Sequence, residues 1–416
     1  MSPDQTVLNT TYDYEIHQDL TNAIRFLSAD AVQQANSGHP GMPMGMADVA
    51  TVLFSHFLKF DADAPKWPDR DRFILSAGHG SMLLYSLLHL TGFKDMPIEE
   101  LKNFRQLGSK TAGHPEYGHA QGIECTTGPL GQGLTMAVGM ALGERMMNAR
   151  FGDELVNHST YVIAGDGCLM EGISHEAISM AGHLKLSKLI VLFDDNSISI
   201  DGSTEMTVSD DQLLRFQASG WDVASVDGHD PNSITAAIIA AQKSNTPSLI
   251  ACKTIIGRGA PNKEGSSATH GAPLGQDELV EARKKMDWPH DPFEIPGEIE
   301  HAWRAIGKKG SMERENWESR LNASGKRSDF EFSNSGVLPK NLSDLINKHK
   351  KTISNESPKL ATRQASGLVL EVLNKAIPTL IGGSADLTGS VNTKTKNATV
   401  ISASDYSGKY IHYGVR

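Results

Sequence analysis

Gly165-Asp166-Gly167 and Asp194-Asp195-Asn196 each close an apolar run, Thr160 to Ala164 before the first and Leu189 to Phe193 before the second. Apolar runs bounded by turn residues read as buried strands, and two parallel neighbours would deliver an Asp and an Asn to one sheet edge. At the carboxyl ends of strands in an open sheet, a carboxylate and an amide oxygen beside a glycine turn suit a hard cation such as Mg²⁺ that holds a phosphate. Mg²⁺ takes few protein oxygens and fills its shell with water and phosphate, so Asp166 and Asn196 fit its sparse ligand set. A lone Gly-Asp-Gly is an ordinary turn; the paired strands single this one out.

Four histidines sit beside glycine in loops: His39 in Ser37-Gly38-His39-Pro40-Gly41, His79 in Gly78-His79-Gly80-Ser81, His114 in Gly113-His114-Pro115-Glu116, and His270 in Thr269-His270-Gly271. A single such residue is usually a hydrogen-bonded loop histidine, but imidazole is also the natural proton carrier near neutrality. None of the spacings gives an HxxxH or HExxH pair, so substrate and cofactor hydrogen bonding is expected of all four rather than zinc ligation. Thr126 to Gly133 leads into a small-residue helix with Ala137, Gly139, Ala141 and Gly143, which can lie close to a neighbouring backbone. Glycines ahead of a helix leave N–H groups open to an anion. Arg363 at a helix start can clamp a phosphate, and Ser390 in a glycine loop can add a hydroxyl. Glu171 reads equally as a helix-surface residue or a buried acid.

The elements that position these groups alternate. Helices are expected over 14–36, with Ile16, Leu20, Ile24, Leu27 and Val32 on one face, and over 46–58, 170–184 and 233–242. Strands are expected over 72–76, 160–164, 189–193, 221–226 and 247–252. The alternation predicts an α/β fold with a mostly parallel sheet covered by helices on both faces. The pattern fades near Thr269. Residues 298–325 form a charged helical stretch with Trp303, Ile306, Trp317 and Leu321 as its apolar contacts, and 326–358 are polar and read as a linker. A second α/β start follows, with a helix over 361–375 and a strand over 379–381. The expected organisation is a first domain over 1–297, a helical linker region over 298–358, and an incomplete domain over 359–416 that buries little core by itself.

A formal charge of −10 over 416 residues, with no basic stripe, argues against nucleic-acid or anionic-membrane partners. Three dispersed cysteines, Cys125, Cys168 and Cys252, fit a reducing compartment and read as buried small hydrophobes. Neither a leader pattern nor an eighteen-residue apolar run is present, so a cytoplasmic protein is expected.

Taken together in chain order, the His39, His79 and His114 loops, Thr127 to Gly133, Gly165 to Gly172, Asp194-Asp195-Asn196, Thr269 to Pro273, Ala361-Thr362-Arg363 and Gly383 to Leu387 resemble the transketolases, a family of thiamine diphosphate enzymes. The resemblance implies the thiamine diphosphate-binding fold, with a diphosphate (PP) domain followed by a pyrimidine (Pyr) domain. It implies a divalent ion, Mg²⁺, Ca²⁺ or another, on Asp166, Asn196 and the carbonyl of Ile198. It implies cofactor contacts from His79, Gly128, Pro129, Leu130, Gly167 and His270, and a sugar-phosphate substrate held by His39, His270, Arg363 and Ser390. His114 would stand near the reacting oxygens, and Glu171 matches the family's acid at the interface of a homodimer. The implied activity is reversible transfer of a two-carbon ketol unit from a ketose phosphate to an aldose phosphate.

In the family pattern, a glutamate that activates the cofactor follows the Gly-Val-Arg with which this sequence closes at Arg416. The expectation is therefore a shortened chain that does little alone and requires the remaining C-terminal part. Dihydroxyacetone synthase or phosphoketolase within the enzyme class, and a non-catalytic cofactor-binding subunit outside it, are the alternative expectations.

Overall fold

The structure is a computed structural model and describes residues 14–416. The N-terminal residues read above for a leader lie outside the described residues. The chain divides into two compact units, Met1–Ala141 with His158–Arg314, and Leu142–Asn157 with Glu315–Arg416.

The first unit is built on a five-stranded sheet: β1 (Arg72–Leu75), β2 (Thr160–Gly165), β3 (Leu189–Asp195), β6 (Asp222–Asp227) and β7 (Ser248–Lys253), in the order β1-β2-β3-β7-β6. Every pairing in it is parallel, as the alternating sequence pattern predicts. The short hairpin β4 (Ile198–Ser199) and β5 (Gly202–Ser203) follows β3 directly. Because β2 and β3 are central, both of their faces are covered, and Val162, Ile163, Val191 and Leu192 have no contact with water. Burial of this kind is worth about 1.5–3 kcal/mol per side chain and explains the unbroken apolar runs. Edge strand β6 is half-exposed and reads accordingly, with Asp222, Ser225 and Asp227 among its residues.

Helix Tyr14–Ala35 packs on Ser81–Thr91 and Gly297–Lys308. The helix expected over 46–58 is interrupted: Gly41–Gly45 and Ala47–Val52 are α-helical, and a wider turn over Leu53–Phe57 ends the run. That over 170–184 also divides, into Asp166–Met170 and Gly172–His183, with Glu171 extended between them. Of the glycines in the helix Gln132–Phe151, Gly133 at its start meets a neighbouring backbone, at Ser76, whereas Gly139 and Gly143, expected to allow close approach, face open space; Ala137 and Ala141 are buried. The three cysteines are buried and free. No helix among the described residues is long and apolar enough to cross a membrane.

In the second unit, Phe330 is buried against Phe151 and Trp317, with ring centroids 5.1 and 5.7 Å away, and the Trp317 indole donates to the Leu155 carbonyl at 2.9 Å. The polar stretch 326–358 carries two helices, Arg327–Ser335 and Leu342–Glu356. The strand expected over 379–381 lies three residues later, as β8 (Gly382–Ser384), paired in parallel with β9 (Tyr410–His412). Leu380 is held in a turn by its N–H bond to the Ile377 carbonyl, which displaces the strand start past it. The helix Thr362–Ala376 contains no buried residue.

The helix Gly172–His183 lies on the Ser219 turn through Gly182, where an added Cβ would stand 1.8 Å from the Ser219 carbonyl oxygen. Gly182→Ala is expected to destabilise the chain by about 1–3 kcal/mol, because backbone must move. A melting temperature unchanged or raised, as for an unobstructed helical glycine, would contradict this packing.

Candidate functional site

The parallel register of β2 on β3 pairs Gly165 with Asp194, so the residue after β2, Asp166, begins its helix beside the last residues of β3. Asp194 is buried. It receives hydrogen bonds from the Thr254 hydroxyl and from Asn196 Nδ2, the latter at 2.8 Å. Asn196 Oδ1 in turn accepts the Ile198 N–H at 2.9 Å, closing a turn in which Ser197 takes a left-handed φ of 60°. This turn fixes the Asn196 amide and aims the chain into the hairpin β4–β5.

Asp166 Oδ2 is buried without a hydrogen-bond partner. Desolvation, then the charges of Asp194 and Asp195, push the Asp166 carboxyl up to about 7. Burial likewise raises Asp194 to about 7 against its hydrogen bonds from Thr254 and Asn196. Among the described residues no salt bridge reaches either carboxylate, and the nearby cation, Lys253, faces Asp195 on the neighbouring strand. No group of three or more His, Cys, Asp or Glu side chains that could hold a metal occurs among the described residues. A carboxylate, an amide oxygen and a carbonyl do not amount to such a group, and they are the sparse hard-oxygen set that suits Mg²⁺ rather than zinc.

His39, His79 and His270 form one cluster. Their ring centroids lie 5.0 Å apart for His39–His79, 5.8 Å for His39–His270 and 5.2 Å for His79–His270, the last pair stacked. Glycines permit the approach: an added Cβ on Gly271 would stand 3.3 Å from the His39 ring, and one on Gly41 would stand 2.6 Å from the Thr269 carbonyl. The Gly257 N–H bonds the Gly41 carbonyl at 2.9 Å, tying the His39 loop to the segment after β7. Burial first, then the neighbouring cationic forms of the other histidines, hold His79 down to about 3; burial, His270, Arg105 and His114 hold His39 down to about 4. Burial also lowers His270. All three rings are therefore neutral at neutral pH, each with one N–H donor and one acceptor nitrogen. Nδ1 of His39 and of His270 is buried with no partner.

The Thr126 to Gly133 loop joins the two parts. Gly128 has a φ of 151° and faces the His114 ring, and Gly78 leaves no room for a Cβ against Thr127 and the Gly128 N–H. Leu130 touches Gly167, and Gly131, with a φ of 81°, lies against Glu171 and Ser174. Pro129, Glu171 and His114 are exposed, whereas Gly128 and Leu130 are half-buried. Of the two expected readings, a buried acid is excluded: Glu171 is exposed and extended, capping the start of the helix Gly172–His183.

Arg363 and Ser390 belong to the second unit, Arg363 exposed in the first turn of Thr362–Ala376 and Ser390 exposed in the short helix Thr388–Val391. The sequence reading gives no role to Asp194 or Arg105. Asp194 is legible as a strand-end carboxylate two residues before Asn196, but its bond from Thr254, 60 residues on, is not. Arg105 gave no signal: it follows an ordinary Leu101 to Phe104 helix end, and its left-handed φ of 61° is a tertiary outcome.

Comparison with known proteins finds matches along nearly the whole chain. Residues 16–335 match the family model described as transketolase, thiamine diphosphate binding domain, and 358–416 match transketolase, pyrimidine binding domain. The transketolase of Sinorhizobium medicae is 58% identical over 399 residues, covering 96% of this chain and 57% of the relative. Transketolase 2 of Escherichia coli is 54% identical over 409 residues, covering 96% of this chain and 61% of the relative. The crystal structure of the Campylobacter jejuni transketolase superposes with a TM-score of 0.88 at 41% identity, covering 97% of this chain and 61% of that one. An R525L mutant transketolase from Pichia stipitis gives 0.90 at 40% identity, covering 96% and 61%. The chain spans about three fifths of the length of the curated relatives it matches. With both domain models matched in order and more than half of its residues identical to those of bacterial transketolases, the chain belongs to the transketolase family.

Proposed function

We propose that the protein supplies the diphosphate-binding part of an enzyme that carries out reversible transfer of a two-carbon ketol unit from a ketose phosphate to an aldose phosphate, with Mg²⁺-thiamine diphosphate as cofactor, and that the chain alone turns over little without the C-terminal part its relatives carry. The observation that carries this reading is the buried, unpartnered Asp166 Oδ2 at a carboxylate-rich strand edge, one loop away from three neutral histidines. Solved structures of the Pichia stipitis transketolase with fructose 6-phosphate, xylulose 5-phosphate and sedoheptulose 7-phosphate support sugar phosphates as the substrate class.

In this reading Asp166, Asn196 and the Ile198 carbonyl hold the divalent ion, and Gly128 to Leu130, Gly167, His79 and His270 hold the cofactor. When bound, thiamine diphosphate supplies the carbanion-stabilising centre for the carbon–carbon chemistry. The chain's own residues orient and exchange protons. Neutral His39 and His270, each with a buried unpartnered Nδ1, donate to and accept from sugar hydroxyls and can take a proton when a C–C bond is cleaved. His114, exposed at the cluster's edge against Gly128, meets the substrate's reacting oxygens. Arg363 and Ser390 fix the distal phosphate, and Arg363 is suited to it by its fixed fork of N–H donors. A cytoplasmic homodimer with Glu171 at its interface completes the reading, supported by the exposure of Glu171.

Calorimetric titration with thiamine diphosphate, with and without Mg²⁺, tests the cofactor, and a ketol-transfer assay between a ketose phosphate and an aldose phosphate tests the reaction. Binding that is indifferent to Mg²⁺ would remove the basis of the proposal. In the complete enzyme, His270→Ala is expected to reduce turnover by about 10²–10⁴-fold, the range for a lost proton-transfer group.

The carboxylate edge predicts a pH dependence with a definite sign. Between the ordinary carboxylate range and about 7 the folded chain retains a proton on Asp166 that the unfolded chain has lost. The metal-free protein therefore loses stability as pH rises through that window. A cation displaces the proton, so the Mg²⁺-dependent rise in melting temperature should be larger at about pH 8 than at about pH 5.5. Asp166→Asn should flatten that difference and weaken Mg²⁺-dependent cofactor binding roughly tenfold or more, one or more factors of 1.4 kcal/mol. An equal Mg²⁺ effect at both pH values would exclude Asp166 as the ligand.

A further inference from the structure

Arg105 makes no salt bridge among the described residues, yet it stands between two of the four histidine loops. We propose that Arg105 is a positioning residue that ties the His39 and His114 loops into one unit and sets a guanidinium without an ion-pair partner beside both imidazoles. The inference rests on the functional reading above only in treating His39 and His114 as substrate-facing groups.

The tie is made on three sides. Arg105 Nη1 donates to Ser37 Oγ at 2.9 Å, two residues before His39. Its guanidinium lies flat against Gly113, the residue before His114, so closely that an added Cβ there would stand 3.1 Å from Cζ and Nε. It also stands 5.4 Å from the centroid of the Phe104 ring, which in turn presses on Gly38, where a Cβ would stand 2.8 Å from Cε1. The Arg105 backbone is committed as well: its N–H bonds the Thr111 carbonyl at 2.9 Å, and its φ of 61° is one that L-residues adopt only when the surroundings require it. On the far side of Gly113, its carbonyl accepts the Ser81 hydroxyl and the Ala112 carbonyl accepts the Tyr85 hydroxyl. The His114 loop is thus clamped between Arg105 and the helix Ser81–Thr91.

The charge has no local answer. Arg105 Nε is buried without an acceptor, and an arginine does not discharge by losing its proton. The groups facing His114 are Arg105 and the opposing carboxylate of Glu116; partial burial and then Arg105 lower its pKa, against Glu116. The groups facing His39 are His270, Arg105, His114 and, by ring contact, His79. Tyr85 faces Arg105 itself through its phenol. A lysine would keep the charge but could not lie flat on Gly113 while reaching Ser37. A neutral residue would lose both functions.

Proton titration of isotope-labelled histidines by NMR, on the full chain without cofactor, separates these functions. In Arg105→Met the midpoints of His114 and His39 should shift upward, and in Arg105→Lys that of His114 should remain near the parent value. Unmoved midpoints in Arg105→Met, or equal displacement by Lys and Met, would overturn the proposal. Should Arg105→Met fail to fold, the parent protein decides. Raising ionic strength shortens the Debye length from about 10 Å to about 3 Å and should move the His114 midpoint upward as the guanidinium is screened. A midpoint that ignores salt or falls with it counts against Arg105. Because no cofactor is present, these shifts can appear in a chain that binds no thiamine diphosphate, which would overturn the functional reading alone, and they can be absent from one that binds it.

Discussion

Like-charge crowding at one sheet edge is the constraint on which the site depends. The register of β2 on β3 is set by two fully buried apolar runs, and a one-residue slip would turn every core side chain the wrong way. The same register forces Asp166 to start beside Asp194 and Asp195. Lys253, opposite Asp195 on β7, answers that carboxylate, but among the described residues no salt bridge reaches Asp166 or Asp194. Two carboxylates raised to about 7, one of them with an unpartnered oxygen, therefore form a preorganised deficit of positive charge. The core's stability holds this arrangement in place at a cost that a bound divalent ion would relieve.

A second buried charge shows the contrasting solution. Asp48 is buried but fully answered: Arg25 Nη2 at 2.5 Å, His229 Nδ1 at 2.8 Å and His17 Nε2 at 3.1 Å surround it, and its carboxyl lies below the ordinary range despite desolvation. The other nitrogen of His229 accepts the Ile255 N–H at 2.9 Å, which fixes His229 as the Nδ1–H tautomer donating to Asp48. Ile255 begins the segment that carries Ile256 and Gly257 against Gly41 and Thr269, and so against the loops of His39 and His270. One carboxylate anchors the histidine loops, and the other keeps an oxygen without a hydrogen-bond partner. Asp48, the more deeply buried of the two, has counter-charges; half-buried Asp166 has none among the described residues.

How much of this was legible follows from where the information resides. Buried parallel strands announce themselves because both faces must be apolar, so β2, β3 and β7 and the Asp and Asn at their ends could be read directly. The histidine loops were legible as loops through their Gly and Pro neighbours, but their convergence was not, since 231 positions of chain separate His39 from His270 (270 − 39). Helix breaks at Leu53–Phe57 and Glu171 leave no compositional trace: Glu171 is extended in a stretch that a periodicity argument runs straight through. The strand near 380 was misplaced because Thr379 to Ile381 has strand composition whereas Gly382-Gly383-Ser384 has the partner, β9. Gly383 makes that pairing possible, with no room for a Cβ beside the Tyr413 ring and the Ile411 carbonyl.

The histidines also explain why the loops need glycine at so many points. A neutral imidazole is useful as a donor and acceptor only while its pKa stays well below the working pH, and burial is the first cause of the low values at His39 and His79. Burying three rings within 6 Å of one another requires backbone to pass where side chains would stand, at Gly41, Gly78 and Gly271. Once the rings are that close, each protonation opposes the next, which adds to burial and, at His39, to the charge of Arg105. Steric permission from glycine and electrostatic neutrality of the histidines are therefore one design, and a β-carbon at Gly271 would disturb both by displacing the His39 ring.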